Sequence, residues 1–347
     1  MLLGIRKKID AELNNFLSRL RKRHSLHKIS PLLYQSIKEF VLRRGKRIRP
    51  TLFIIGYLGF SQKPAKNLYA ASVALELLHD FLLIHDDIID KSILRRNKPS
   101  LHIVLNSYLK RKGYKKIKFN GQDLALVIGD ALYALALEAL LFIEENMGRK
   151  EKAIQKFIES AFYTASGEFA ELLYTAKNID TIRKNDIYRI YDLKTAHYSF
   201  SAPLVIGATL AGAKRNQIDK LFKYGVYLGR AFQIQDDIFG IFNEEMGIDK
   251  FSLIDLQEAK KTLLIWHAYE YSSPKEKTFL KRILEKEVLS RQDLLRTQKI
   301  MLNSGTINYA RKEINKLIKK AQRLIFTLGM KPRYKDLLFF YPQNIFK

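Results

Sequence analysis

The stretch "ELLHDFLLIHDDIIDKSILRRNKPSLH", residues 76 to 102, sets three aspartates and two arginines directly behind an apolar run. The run is apolar apart from Glu76, His79 and Asp80, which places Asp86, Asp87 and Asp90 near the end of a core helix rather than on a fully solvated face. On a helix Asp86 and Asp90 share a side and Asp87 lies one step round from Asp86. Carboxylates this close repel unless a cation neutralises them. The cluster offers oxygen ligands, with no cysteine and with His85 merely adjacent, so Mg²⁺ is favoured over Zn²⁺. Because Mg²⁺ takes one or two carboxylates plus substrate phosphates, the site calls for a phosphorylated ligand. Arg95 and Arg96 follow within about two turns at helical rise, close enough to clamp an anion bound there.

A second acidic pair stands in "FQIQDDIFG", residues 232 to 240, where Gly240 takes the place of a third acid. "RRGKRIRP", residues 43 to 50, crowds Arg43, Arg44, Lys46, Arg47 and Arg49 around one glycine, as an anion grip or a solvated basic patch. One acidic motif or one basic run by itself reads as a solvated face; their combination does not.

The rest of the chain narrows the class. In 347 residues with 47% hydrophobic content there is material for a sizeable core. Gly and Pro fall mostly between apolar-periodic stretches and period-two alternation is scarce, so the chain reads as all-α, a single domain over residues 1 to 347. Breaks are expected at 59–67, 110–123, 176–180, 211–217, 243–252 and 271–277. There is no cysteine, which excludes a disulfide framework and thiolate metal sites and suits a reducing cytoplasm. Lys and Arg number 61 against 35 acids, a net charge of +26 that predicts attraction to nucleic acid, acidic lipid or phosphorylated substrates without choosing among them. The N-terminal "MLLGIRKKIDAELNN" is charged too early for a signal peptide. Residues 124 to 143 have spanning length, but Asp130 and Glu138 make them a buried bundle helix, apolar nearly all round.

In order along the chain, "GKRIRP", the opening stretch, "IGDALYALA", "SGE", "LKTAHYSFSAPLVIGA", "LGRAFQIQDDIFGIF", "DLQEAKKTLL" and "NSGTINYA" resemble the trans-isoprenyl diphosphate synthases of the polyprenyl synthetase family, most of all its archaeal-type geranylgeranyl diphosphate synthases. The resemblance implies an isoprenoid synthase-type helical bundle around a deep apolar central cavity, paired as a homodimer, with two aspartate-rich sites across its mouth. It also implies an activity. An allylic diphosphate (dimethylallyl, geranyl or farnesyl) ionises with Mg²⁺, the double bond of isopentenyl diphosphate attacks the cation, and a proton is lost, with the released diphosphate as its acceptor.

By position, Asp86, Asp90 and Asp236 match the family's metal ligands, with Asp87 and Asp237 beside them. Arg95, Lys194, Lys250 and Lys260 match groups holding the allylic diphosphate, and Thr195 and Gln233 match neighbours of the cation-forming end. Lys46, Arg49, His79 and Arg96 match the isopentenyl diphosphate pocket. Phe81, Leu82 and Leu78 lie about one turn or more before Asp86, where side chains should floor the tail cavity. A large Phe81 should stop elongation while non-aromatic Leu82 leaves room, a pattern that resembles the family's geranylgeranyl diphosphate synthases and so implies a C20 product, with C15 and C25 as alternatives. Departures from the family are Gly240, Arg44 where a second Gly is usual, Asn97 where Gly often follows the Arg pair, a loose lid over residues 247 to 261, and a basic insertion around residues 110 to 121. Three other readings stand beside this one: a noncatalytic partner subunit of such a synthase, a class I terpene synthase, and a basic helical module for membrane or nucleic acid. Nucleic acid is not an expected partner of the enzyme, whereas its greasy product makes peripheral membrane contact compatible with catalysis.

Overall fold

The computed structural model describes residues 1–114, 117–242 and 254–346, and among them helix follows helix almost without interruption. The exception is a two-stranded antiparallel hairpin, Leu94–Arg95 against Lys98–Pro99. Local chemistry sets the helix starts. Asn120 accepts from the backbone N–H groups of Gln122 and Asp123 while Asp123 accepts from the N–H of Asn120, and Ser273 with Glu276 and Ser290 with Asp293 repeat that reciprocal cap. The breaks expected at 59–67, 110–123, 176–180, 211–217 and 271–277 each coincide with a junction between helices, overlapping the helix ends by a few residues. That at 243–252 lies outside the described residues.

The chain divides into two compact units, residues 1–155 with 206–213, and residues 156–205 with 214–347. In the first, Leu2–Arg23, Ile48–Phe60 and Gly121–Leu141 pack on Leu68–Ile89, with Leu13, Phe40, Phe53, Ile54 and Leu75 at most 1% exposed. In the second, Arg215–Phe242 packs on both Thr306–Phe326 and the segment Asp192–Ser201, over a core that includes Ile234, Leu264 and Met301.

Among the described residues two helices, Leu68–Ile89 and Gly121–Leu141, are long and apolar enough to cross a membrane by length and composition. Leu68–Ile89 is mostly buried. Gly121–Leu141 departs from the expectation of burial all round. Ala125, Ile128, Gly129, Leu132, Ala136 and Ala139 form one buried stripe, while Val127 is 61% and Leu141 53% exposed. Its three acids lie on the side away from that stripe, where Asp123 and Asp130 are exposed and Glu138 reaches Arg23 at 2.7 Å.

Candidate active site

The helix Leu68–Ile89 delivers the first acidic motif. Asp90 caps it, its N–H bonding the Asp86 carbonyl at 2.8 Å, so the two carboxylates stand one turn apart as their spacing predicts. The helix then stops, which corrects the expectation that Arg95 and Arg96 follow at helical rise. Lys91 adopts φ 50°, and the hairpin turns through Arg96 (φ 54°) and Asn97 (φ 59°). A two-residue hairpin turn of this kind needs positive φ at both positions, and Asn is among the few non-glycine residues that adopt it readily. Asn97 therefore serves where the family often has glycine.

The hairpin folds Arg95 back onto Asp87, whose Oδ1 accepts from Nε at 2.8 Å and from Nη2 at 2.5 Å. The Asp87 side chain is 1% exposed. Burial pushes its carboxyl up, against the opposing pull of Arg95. Asp87 is thus the brace that aims Arg95, while Asp86 and Asp90 remain half-buried.

Around them is a basic pocket. Arg49, Arg96, Arg95 and Arg47 all act electrostatically on His79 and, after burial itself, hold its imidazole well below the usual range, so this histidine is neutral. Arg96 reaches Asp80 at 3.3 Å and Glu76 at 3.5 Å. Arg47, which position alone did not single out, is a structural arginine of the run, as is Arg43, buried against Glu39. It is buried, donates to Glu76 at 2.5 Å and Asp10 at 2.9 Å, and closes on the carbonyls of Val41 and Arg43. Arg44 and Lys46 are exposed and Arg49 half-buried, so these three present the charge. One helical turn before the acids, the Phe81 ring lies 4.7 Å from His85 and 5.4 Å from Tyr133. Phe81 and Leu82 are half-buried, whereas Leu78 is 1% exposed and packed in the core.

In the second unit the segment Asp192–Ser201, which carries Lys194 and Thr195, is a π-helix, a local winding often found at functional sites. Its backbone lies so close to its neighbours that glycine is needed against it. A Cβ on Gly229 would stand 2.4 Å from Ala196, and one on Gly167 2.7 Å from Lys194 N. Lys194 sits between Glu168 at 2.7 Å and Glu171 at 2.5 Å. Thr195 Oγ1 donates to Gln233 Oε1 at 2.6 Å, and Gln233 Nε2 donates to Asp237 at 2.9 Å. The Tyr191 hydroxyl donates to the other oxygen of Asp237 and accepts the N–H of Leu263 at 2.8 Å. Asp237 is 4% exposed, whereas Asp236 next to it is exposed.

A cavity of about 60 Å³ gathers Lys194, Gln233, Asp237 and Lys260 with Glu171 and Tyr191. Lys260 is paired with Glu258. Lys261, beside it, is buried, donates to the Thr175 carbonyl, and has its ammonium shifted down by that burial. Ala259 just before them takes φ 52°, a conformation glycine adopts without the Cβ clash. Lys250 lies outside the described residues.

The two acidic pairs therefore divide their labour alike. The second aspartate of each is buried and tied within its own unit, Asp87 to Arg95 and Asp237 to Tyr191 and Gln233, while Asp86, Asp90 and Asp236 stay within reach of solvent. Among the described residues no group of three or more His, Cys, Asp or Glu is assembled to hold a metal. Hard carboxylates in ones and twos fit Mg²⁺, whose remaining positions go to water and phosphate. The sequence reading missed the supporting shell of Tyr191, Glu76, Asp80, Glu168 and Glu171. Tyr191 stands in the aromatic-rich "YRIYDLKTAHYSF", which reads as core lining, and the signal that distinguishes it is its place three residues before Lys194.

The family model for polyprenyl synthetase matches residues 30–301. A geranylgeranyl diphosphate synthase of Sulfolobus acidocaldarius is 30% identical over 293 residues, covering 84% of this chain and 83% of that protein. A short chain isoprenyl diphosphate synthase of Methanocaldococcus jannaschii is 29% identical over 315 residues, covering 89% and 84%. Among solved structures, a geranylgeranyl pyrophosphate synthase from Corynebacterium glutamicum, complexed with isoprenyl diphosphate and magnesium, superimposes with a TM-score of 0.88 at 22% identity over 100% of this chain and 99% of that one.

Proposed function

This chain belongs to the polyprenyl synthetase family and is a trans-prenyltransferase; from that premise we propose that it elongates dimethylallyl, geranyl or farnesyl diphosphate with isopentenyl diphosphate, dependent on Mg²⁺, and stops at the C20 product geranylgeranyl diphosphate. The observation that carries the reading is the shared layout of the two acidic pairs, each with one aspartate locked and its neighbour open to solvent. In this reading Asp86, Asp90 and Asp236 take the metal. Bound Mg²⁺ would neutralise the diphosphate as negative charge develops on it.

The chain's own residues do the rest. Arg95, aimed by Asp87, and Lys194 and Lys260, which give up glutamate partners for phosphate oxygens, hold the allylic diphosphate. Lys46, Arg49 and Arg96 bind the second diphosphate, with His79 neutral among them as a hydrogen-bonding rather than a charged partner. Thr195 and Gln233 lie by the carbon that becomes cationic. The C–O bond to diphosphate breaks, the isopentenyl double bond forms the new C–C bond, and the proton lost in restoring a double bond goes to the released diphosphate. Phe81, braced by His85 and Tyr133, ends the space for the tail, and together with the name of the Sulfolobus relative it supports C20.

The proposal includes a homodimer and a cytoplasmic setting. On the helix Met147–Thr175, Ile158, Phe162, Phe169 and Leu173 recur at four- and seven-residue spacing with exposures of 44%, 67%, 67% and 56%, a stripe that suits a second copy. The absence of cysteine suits a reducing compartment. The test is incubation of purified protein with isopentenyl diphosphate and each allylic primer, with Mg²⁺ and with chelator, reading product length by mass spectrometry. Elongation that needs the metal and ends mainly at C20 is the expected result; no product from any primer would overturn the proposal.

A further inference from the structure

The helix Thr306–Phe326 presents two opposed faces. Ala310, Ile314, Leu317, Ala321 and Ile325 recur at three- and four-residue spacing and are buried in their own unit. Lys312, Lys316, Lys319, Arg323 and Phe326 recur by four, three, four and three residues, which puts them on a single stripe on the opposite side, and all five are exposed. The helix holds one acid, Glu313, and that is occupied by the Tyr188 hydroxyl at 2.7 Å, Lys184 at 3.1 Å and Lys316 at 3.3 Å.

The stripe runs into an aromatic cluster. Phe326 is 72% and Phe340 49% exposed, the Phe326 and Phe339 rings are 5.7 Å apart, and Phe339 and Phe340 are 5.1 Å apart. Gln322 donates to the Phe339 carbonyl at 3.0 Å and ties the helix Pro332–Ile345 to the end of the basic one. From residue 306 to 347 the chain carries ten Lys and Arg against two acids.

We propose that this face, the stripe Lys312, Lys316, Lys319 and Arg323 with the Phe326, Phe339 and Phe340 cluster at its end, is a docking surface for an anionic phospholipid bilayer. Its cations complement acidic headgroups, and exposed phenyl rings beside them lie where an interfacial helix inserts its apolar side chains. The same rings argue against duplex nucleic acid, whose phosphates would pair with the cations but whose stacked bases leave the phenyl groups in water. A second copy of the chain does not suit the face either, because two-fold pairing would set bases against bases. The assignment stands on this surface alone and does not rest on the catalytic reading. For an enzyme with a prenyl product, it would deliver that product directly to lipid.

The test is co-sedimentation of the full chain with vesicles of phosphatidylcholine alone and of phosphatidylcholine with about one third phosphatidylserine. Each base near an acidic surface strengthens binding about fivefold. Replacing Lys312, Lys316, Lys319 and Arg323 together by Gln should therefore weaken binding to the acidic vesicles by hundreds-fold, and Phe326→Ser with Phe340→Ser should remove the part that survives added salt. A charge-matched control, Lys7, Lys28, Lys110 and Arg111 to Gln, should bind almost as the parent does, and all variants should keep the parent's helical circular dichroism and cooperative thermal unfolding. Equal loss in the control would overturn the assignment to this face. So would retained binding in the stripe variant, or binding to a DNA duplex that acidic vesicles fail to compete.

Discussion

Replacing Tyr191 by Phe removes one oxygen atom and tests the support of the second acidic pair. The Tyr191 hydroxyl serves two buried groups, donating to the Asp237 carboxylate and accepting from the Leu263 N–H, the first backbone donor of the helix Leu263–Glu270. Burial and the neighbouring Asp237 charge keep the phenol well above its ordinary pKa, so it is the donor at any working pH. A hydrogen bond to a charged group contributes about 1.5–3 kcal/mol and a buried backbone donor left without a partner costs about 1–3 kcal/mol. Gln233 still donates to Asp237 at 2.9 Å, which places the total near the lower end, at about 3 kcal/mol. For a unit of this size that corresponds to a fall in Tm of about 6–12 °C. The assay is thermal unfolding by circular dichroism, repeated in an Asp237→Asn background. There the tyrosine substitution should cost about 1–2 kcal/mol less, because part of its effect runs through the carboxylate charge. A fall in Tm of less than about 2 °C, or the same loss in both backgrounds, would refute the chain from Thr195 through Gln233 and Asp237 to Tyr191 as a unit.

Phe81→Ala opens the space beside His85 and Tyr133 and should shift the main product to longer chains, at a stability cost of about 2 kcal/mol for this half-buried ring; an unchanged product length would reject Phe81 as the floor. His79 has a folded-state pKa depressed by burial and by the surrounding arginines. As pH falls through the ordinary imidazole range near 6.5 the unfolded chain therefore takes up a proton that the folded chain refuses, and stability drops with falling pH. His79→Gln should remove up to about 1.4 kcal/mol per pH unit of that slope below pH about 6.5, measured by urea denaturation at several pH values. An identical slope in the variant would mean that His79 titrates normally.

How much of this was legible beforehand differs between the two acidic motifs. Asp86, Asp90, Lys194, Thr195 and Gln233 were placed by local order along the chain, and the structure brings Lys194, Gln233, Asp237 and Lys260 to one cavity. The fate of Arg95 was misread, because its distance from the acids was counted in helical rise. The chain turns at Lys91, Arg96 and Asn97 instead, and of these only Asn97 is a residue type that favours such a turn. The partial exposure of Gly121–Leu141 was missed for a related reason: composition counts apolar residues but does not say which of them find a neighbour.

The sequence by itself determined the helical class, the succession of motifs and the oxygen-only chemistry of the acids. Those properties follow from residue type and from separations of a few positions, over which helix geometry is nearly invariant. The tertiary structure alone decided the roles within each acidic pair. Two adjacent aspartates are indistinguishable along the chain, and only the hairpin that returns Arg95 to Asp87, and the packing that sets Tyr191 against Asp237, make one of each pair a buried brace and keep the other within reach of solvent. Burial and partner are properties of residues brought together from far apart, and they govern whether a carboxylate is held or available.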